Sequence, residues 1–157
     1  MDQASRELLT EKHWALLDIE FIQISPKHRC IRKLYILDDN GYTDMELDFY
    51  PCKRYKDVDR KYQRSFQYCK RHIHKLNYNP TKYSPECLQV LPLLNEFIVD
   101  SGIELILYKG GTIERDLSKA LNLSSLNIEC FEELEKAYSH DPRTEVNCYF
   151  SQINELI

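Results

Sequence analysis

The chain has 157 residues, 43% hydrophobic and 29% charged, with only 4 Gly and 6 Pro. That is enough length for one buried core, and the composition excludes a low-complexity or disordered chain. Net charge is −4, which by itself argues against a general nucleic-acid binder, and no apolar run reaches the roughly 18 residues a membrane helix needs.

The charge is unevenly spread. Between Lys53 and Lys82 lie ten basic residues and two acids, a segment of +8 in a chain whose remainder is −12. Such polarity suits a protein that holds an anionic polymer on one side and metal-binding carboxylates on the other. The N-terminus has no apolar signal core, so an intracellular protein (cytoplasm or nucleus) with reduced cysteines is expected.

Residues 1–12 read as a short polar helix or arm. Trp14 to Ile24 is a nearly continuous apolar run and is expected to be a buried strand, with Asp18 and Glu20 inside it. Side chains alternate along a strand, so these two carboxylates share a face. Two acids side by side in a core strand repel and resist desolvation unless cations neutralise them. Cys30 to Leu37 is a second strand, and Asp38-Asp39-Asn40-Gly41 a hairpin turn. Tyr42 to Tyr50 alternates into a third strand, stopped by Pro51.

A basic insert follows, at about 53–83. Phe66, Cys69, Ile73 and Leu76 have helical spacing over Gln63 to Leu76, which leaves Arg64, Arg71 and Lys75 off the apolar stripe. Tyrosines interleaved with these cations suit stacking on a single strand. Asn77 to Tyr83 is a loop. Ser84-Pro85 starts a helix that runs toward Val99, with a bend or break expected near Pro92 and an end at Ser101-Gly102. Glu104 to Tyr108 is a strand, and Lys109-Gly110-Gly111 turns into a helix over Ile113 to Leu121. Leu126 to Cys130 is expected to be a short strand, Phe131 to Tyr138 a helical segment, and Arg143 to Ile157 the last helix. The predicted order is βββαβαβα, a single domain over residues 1–157.

Three short motifs fall in order on these elements: Asp18-Ile19-Glu20, then Lys109-Gly110-Gly111-Thr112-Ile113-Glu114, then His140-Asp141-Pro142-Arg143-Thr144-Glu145. Together they resemble the marks of the DEDDh 3′–5′ exonuclease superfamily: D-x-E on the first strand, H-N-x-x-F-D at a strand-to-helix turn, and H-x-A-x-x-D at the last helix. Glu114 and Glu145 stand where that family has Asp, and Lys109-Gly110-Gly111 stands where it has His-Asn. His13 and Asp18 share the spacing of the third motif, so spacing alone is not selective.

The resemblance implies an α/β, RNase H-like fold, with an antiparallel β1-β2-β3 meander followed by αβαβα in a mixed sheet. It implies a two-metal exonuclease using Mg²⁺ or Mn²⁺, with Asp18, Glu20, Glu114 and Glu145 as ligands and His140 as general base. Hard divalent ions take carboxylate oxygens, and two of them about 3.5–4 Å apart neutralise the attacking and leaving oxygens of a phosphodiester. Single-stranded nucleic acid, RNA favoured over DNA, is the implied partner, with Lys109, Arg64, Arg71 and Lys75 contacting it. The alternative is a nuclease-like module that binds without cutting. The nuclease-like domain of Maelstrom proteins is similar in lacking the full acidic set and carries zinc. Here Cys130, His140 and Cys148 lack that tight spacing, and neither they nor Cys52, Cys69, His72 and Cys87 are expected to hold zinc. The six cysteines are expected to be small buried apolar residues.

Overall fold

The computed structural model describes residues 1–26, 28–49, 55–72 and 90–157, without the side chains of His28, Tyr55, Phe66, Cys69, Lys70 and His72. Lys75, Cys52, Cys87, Pro51, the loop expected over 77–83 and the helix start expected at Ser84 lie outside these residues.

The described elements are α1 (Gln3–Glu11), β1 (Trp14–Ser25), β2 (His28–Asp38), β3 (Asp44–Asp48), α2 (Arg60–His72), α3 (Val90–Ser101), β4 (Leu105–Tyr108), α4 (Thr112–Ala120), β5 (Ser124–Asn127) and α5 (Pro142–Leu156). The five strands form one sheet in the order β3-β2-β1-β4-β5. β1 pairs antiparallel with β2, and β2 with β3. β4 pairs parallel with β1, and β5 with β4. This is the expected mixed sheet, with its meander first and its parallel strands after it.

The apolar run of β1 is central, so both its faces are covered. Ala15, Leu17 and Ile19 point into one core with Val90, Leu94 and Ile98 of α3. The opposite face is divided along its length. Trp14 and Leu16 pack with Val146, Tyr149 and Ile153 of α5. Ile22 and Ile24 pack with Cys30, Val58 and the half-buried Tyr62 of α2. Between these two patches, on the same face, stand Asp18 and Glu20. The sheet therefore leaves a gap over its middle, bounded by α5 at one end and α2 at the other. A β-bulge on β2 falls beside the gap: Glu20 faces Lys33 while Phe21 faces Ile31, which leaves Arg32 as the extra residue.

Several local expectations are corrected. The chain from Phe131 to Tyr138 is not helical. Its backbone groups are satisfied from α5 instead: Glu135 N–H donates to Gln152 Oε1 at 2.6 Å, Gln152 Nε2 donates to the Glu135 carbonyl at 3.1 Å, and Ala137 N–H donates to the Tyr149 hydroxyl at 2.9 Å. Once those partners exist, a helix has no donor or acceptor left to gain. The strand expected over Leu126 to Cys130 is Ser124–Asn127, and Ile128–Cys130 is a 3₁₀ turn whose Glu129 N–H donates to Asn127 Oδ1 at 3.0 Å. Residues on both sides of Pro92 are helical, so α3 does not break there. Its buried stripe of Val90, Leu94 and Ile98 holds it against the sheet despite the lost N–H. Cys30 is buried as expected, but Cys130 and Cys148 are exposed.

Candidate active site

Each acid reaches the gap for a local reason. Asp18 and Glu20 are brought there by the period of two along β1. Glu145 lies in the first turn of α5, which begins firmly: Asp141 caps it, with its carboxylate accepting from Thr144 N–H at 3.1 Å and from the Thr144 hydroxyl at 2.9 Å, and Pro142 occupies the first turn. Glu114 lies in the first turn of α4, where the helix dipole favours a negative charge.

The paired glycines position Glu114. Gly110 has φ +80°, a backbone conformation that favours glycine. Gly111 caps α4, and a Cβ there would stand 2.7 Å from Glu114 Oε2. The Glu114 side chain therefore folds back over the space a side chain would fill. Its Oε1 accepts from the Ile19 N–H on β1 at 3.1 Å. The other oxygen, Oε2, is buried with no hydrogen-bond partner, as is Asp18 Oδ2.

Asp18, Glu20 and Glu145 each offer an oxygen, and these atoms lie within 4.8 Å of one another. Glu114 stands beside this trio, with one of its oxygens committed to Ile19. Burial, then the hydrogen bond and charge of Glu145, push Asp18 well above the usual carboxylate range. Burial and the charges of Glu145, Glu114 and Asp141 push Glu20 up to about 8, with Lys33 opposing. Burial pushes Glu114 up to about 7, against the hydrogen bonds of its own N–H and that of Ile19. In the absence of cations, Asp18, Glu20 and Glu114 keep their protons above the usual carboxylate range. Partial burial works the other way on Asp141, yet the Thr144 contacts and Lys33 keep it below its ordinary value.

The four carboxylates pass a simple test for hard divalent ions. They supply oxygen donors only, they converge from three elements, and two of their oxygens are buried without partners. Protonation is the alternative route to neutrality, and the raised values show how much the cluster needs one or the other.

Beside the acids lies a cleft of about 80 Å³. Asp18 and Glu145 line it with Ile128, Val146 and Tyr149, and Lys109 and Lys136 line it as cations. Lys109 Nζ donates to the Tyr149 hydroxyl at 2.6 Å and lies 4.7 Å from that ring's centroid. Lys109 was foreseen as a substrate contact; Lys136 and Tyr149 were not. Tyr149 carries a period-of-3.6 signal as part of the apolar stripe of α5, but its role in tying Lys109 to Ala137 needs the folded chain.

His140 sits in the loop before α5, exposed, with no hydrogen bond or ion pair to any described residue. Arg64 and Arg71 lie exposed on α2. Asp116 is not part of the cluster: it pairs with Arg29, whose NH2 donates to Asp116 Oδ2 at 3.4 Å. Among the described residues, only two groups of three metal-ligating side chains converge: the trio above, and His13 with Asp38 and Asp39. Cys130, His140 and Cys148 form no such group.

No family model and no curated protein matches the chain. It is similar to solved structures of the Mopeia virus exonuclease domain. One, fully depleted of manganese, superposes with a TM-score of 0.53 at 11% identity, over 99% of this chain and 86% of that chain. Another, soaked with alendronate, gives 0.43 at 12% identity over 83% of this chain and 57% of that one, too slight a likeness to carry an argument. At such identities the likeness is one of fold. It shows that the chain shares that domain's fold.

No helix among the described residues is long and apolar enough to cross a membrane.

Proposed function

We propose that the chain is a divalent-metal-dependent 3′–5′ exonuclease of the DEDDh kind, acting on single-stranded nucleic acid, with RNA favoured. The observation that carries this reading is the convergence of Asp18, Glu20 and Glu145, with Glu114 beside them, next to a cleft that Asp18 and Glu145 line. The fold shared with a viral exonuclease domain supports it.

Asp18, Glu20, Glu114 and Glu145 would hold two Mg²⁺ or Mn²⁺ ions. Bound there, such ions lower the pKa of water and neutralise the oxygens that attack and leave phosphorus. The chain's own residues account for the rest. Asp18, close to both Glu20 and Glu145, would hold an ion with either. Lys109, steadied by Tyr149, and Lys136 would present positive charge to a phosphate at the cleft wall. His140, in the loop before α5, would accept a proton from the attacking water. The basic face of α2, with Arg64 and Arg71 and with Lys75 beyond the described part, borders the other end of the gap and would hold the strand's backbone.

A non-cleaving nuclease-like module is the second reading. The isolation of His140 and the commitment of one Glu114 oxygen to Ile19 favour it. The two readings separate on a 5′-labelled oligoribonucleotide with a free 3′ end. Stepwise shortening in Mn²⁺, abolished by EDTA or by Asp18→Asn, is expected of the nuclease. Intact RNA in both Mg²⁺ and Mn²⁺, with binding retained, would leave only the module.

A further inference from the structure

A second constellation lies at the opposite end of β1. His13 precedes the strand, Asp38 ends β2, and Asp39 begins the turn after it. His13 Nε2 faces both carboxylates: it contacts Asp38 Oδ1 and lies 3.0 Å from Asp39 Oδ1. The Asp38 side chain is almost fully buried, at 4% exposure, whereas His13 and Asp39 are about one third exposed, at 33% and 28%. One ligand atom from each of the three lies within 4.8 Å of the others.

The backbone around this group is already tied. Asp39 N–H donates to the Trp14 carbonyl at 3.0 Å, and Glu104 N–H donates to the His13 carbonyl at 2.8 Å. Trp14 N–H also donates to Asp39 Oδ2 at 3.2 Å. Three segments (the entry to β1, the β2–β3 turn and the α3–β4 turn) are thus held together without the His13 side chain. The convergence of the side chains is an addition that the backbone does not need.

The other ring nitrogen, Nδ1, faces Gly102, where an added Cβ would stand 3.8 Å from it. Nε2 is thus the nitrogen turned to the two carboxylates, one of them desolvated. Lys12 is turned to Glu104 at 3.7 Å.

We infer that His13, Asp38 and Asp39 form a binding site for a single divalent transition-metal ion of the Zn²⁺ class, which staples the three segments together. One imidazole nitrogen and two carboxylate oxygens match the donor set such an ion takes, and the exposed side of His13 and Asp39 leaves a position for water. The site is separate from the acidic cleft and does not depend on the function proposed for it. It has nitrogen as a donor, where the cleft has oxygen only.

The test is Zn²⁺ binding by calorimetry on the full chain. Wild type and Asp18→Asn should share one Zn²⁺ event of equal affinity. His13→Gln and Asp39→Asn should weaken that event at least about tenfold. Loss of all Zn²⁺ binding in Asp18→Asn, or full retention in both His13→Gln and Asp39→Asn, would overturn the inference. Should His13→Gln fail to fold, Co²⁺ and NMR on the wild type decide. One equivalent of Co²⁺ should broaden or shift the His13 ring signals before those of His28, His72, His74 and His140. Unmoved His13 signals would contradict the site.

Discussion

Two acidic clusters lie along β1, one at its start and one at its middle, and they are built differently. At the start of β1, Asp38 and Asp39 meet an imidazole, and the carboxylates have a basic partner from the fold itself. In the middle of β1, Asp18, Glu20, Glu114 and Glu145 meet each other. Lys33 is the modest counterweight to Glu20, and Arg29 to Glu114. Burial raises Asp18, Glu20 and Glu114 above the usual carboxylate range, and two of the cluster's oxygens have no partner. The first cluster is a tie between segments. The second is an unmet demand for positive charge beside a cleft, and that demand is the physical signature of a site waiting for something to bind.

The largest expected effect breaks the cleft alone. Asp18→Asn should cut RNA trimming by about 10³-fold, since it removes a proposed metal ligand, while His13→Gln should leave the trimming rate within a few-fold. Comparable losses in both variants would erase the distinction between the clusters. His140→Ala comes next, with a fall of about 10²-fold, the low end of what a general base contributes. If that variant keeps the wild-type rate, another group takes the proton.

Gly111→Ala is a smaller and more local probe. A Cβ 2.7 Å from Glu114 Oε2 must displace that carboxylate, so activity should drop about tenfold with little loss of helix content. Unchanged kinetics would show that Glu114 does not act through its position. Replacing Arg64 and Arg71 with Gln should weaken RNA binding several-fold and flatten its dependence on salt, leaving the rate at saturating RNA in place. Binding indifferent to both charges would remove α2 from the substrate path.

The subtlest effect is on stability in metal-free buffer. Glu20 and Glu114 have folded pKa values raised above those of the unfolded chain, to about 8 and about 7. The folded state therefore keeps protons that the unfolded state has already released, and stability falls as pH rises from about 4.5 toward 8. His13 is also raised: its burial opposes the charge, but the Asp38 hydrogen bond and both neighbouring carboxylates outweigh that, so its contribution too is lost as pH rises through its folded value. Melting temperature should drop by a few degrees between pH 5 and pH 8. Glu20→Gln together with Glu114→Gln should remove most of the cleft's share of that slope and leave the share of His13. A slope untouched by the pair would place the effect outside the cleft.

The sheet was legible because its signal is local. The apolar run of β1, the alternation of β3 and the Asn40-Gly41 turn each sit within a few residues, and their pairing follows. Asp18 and Glu20 were legible for the same reason: two acids in a core strand are anomalous wherever the strand lies. Glu145 and Glu114 were found by resemblance of motif, and the fold places them next to Asp18. What could not be read is what depends on pairs far apart. The segment Phe131 to Tyr138 loses its helix because Gln152 and Tyr149, more than a dozen residues on, take over its backbone groups. Gly111 reads in sequence as a turn residue, and only the back-folded Glu114 shows why a side chain is excluded there. His13 shares its spacing to Asp18 with the motif at His140, yet it serves Asp38 and Asp39, because the antiparallel register carries the end of β2 back to the start of β1.

The central claim is that the acids of β1, α4 and α5 together hold divalent ions, and Mn²⁺ binding tests it most directly. Titration of the metal-free chain at pH 7.5, followed by electron paramagnetic resonance, should show two Mn²⁺ ions coupled to each other. Both should be lost in Asp18→Asn and at least one in Glu114→Gln. Mn²⁺ that stays free in solution with the wild-type chain, or that binds the Asp18→Asn variant as a coupled pair, would contradict it.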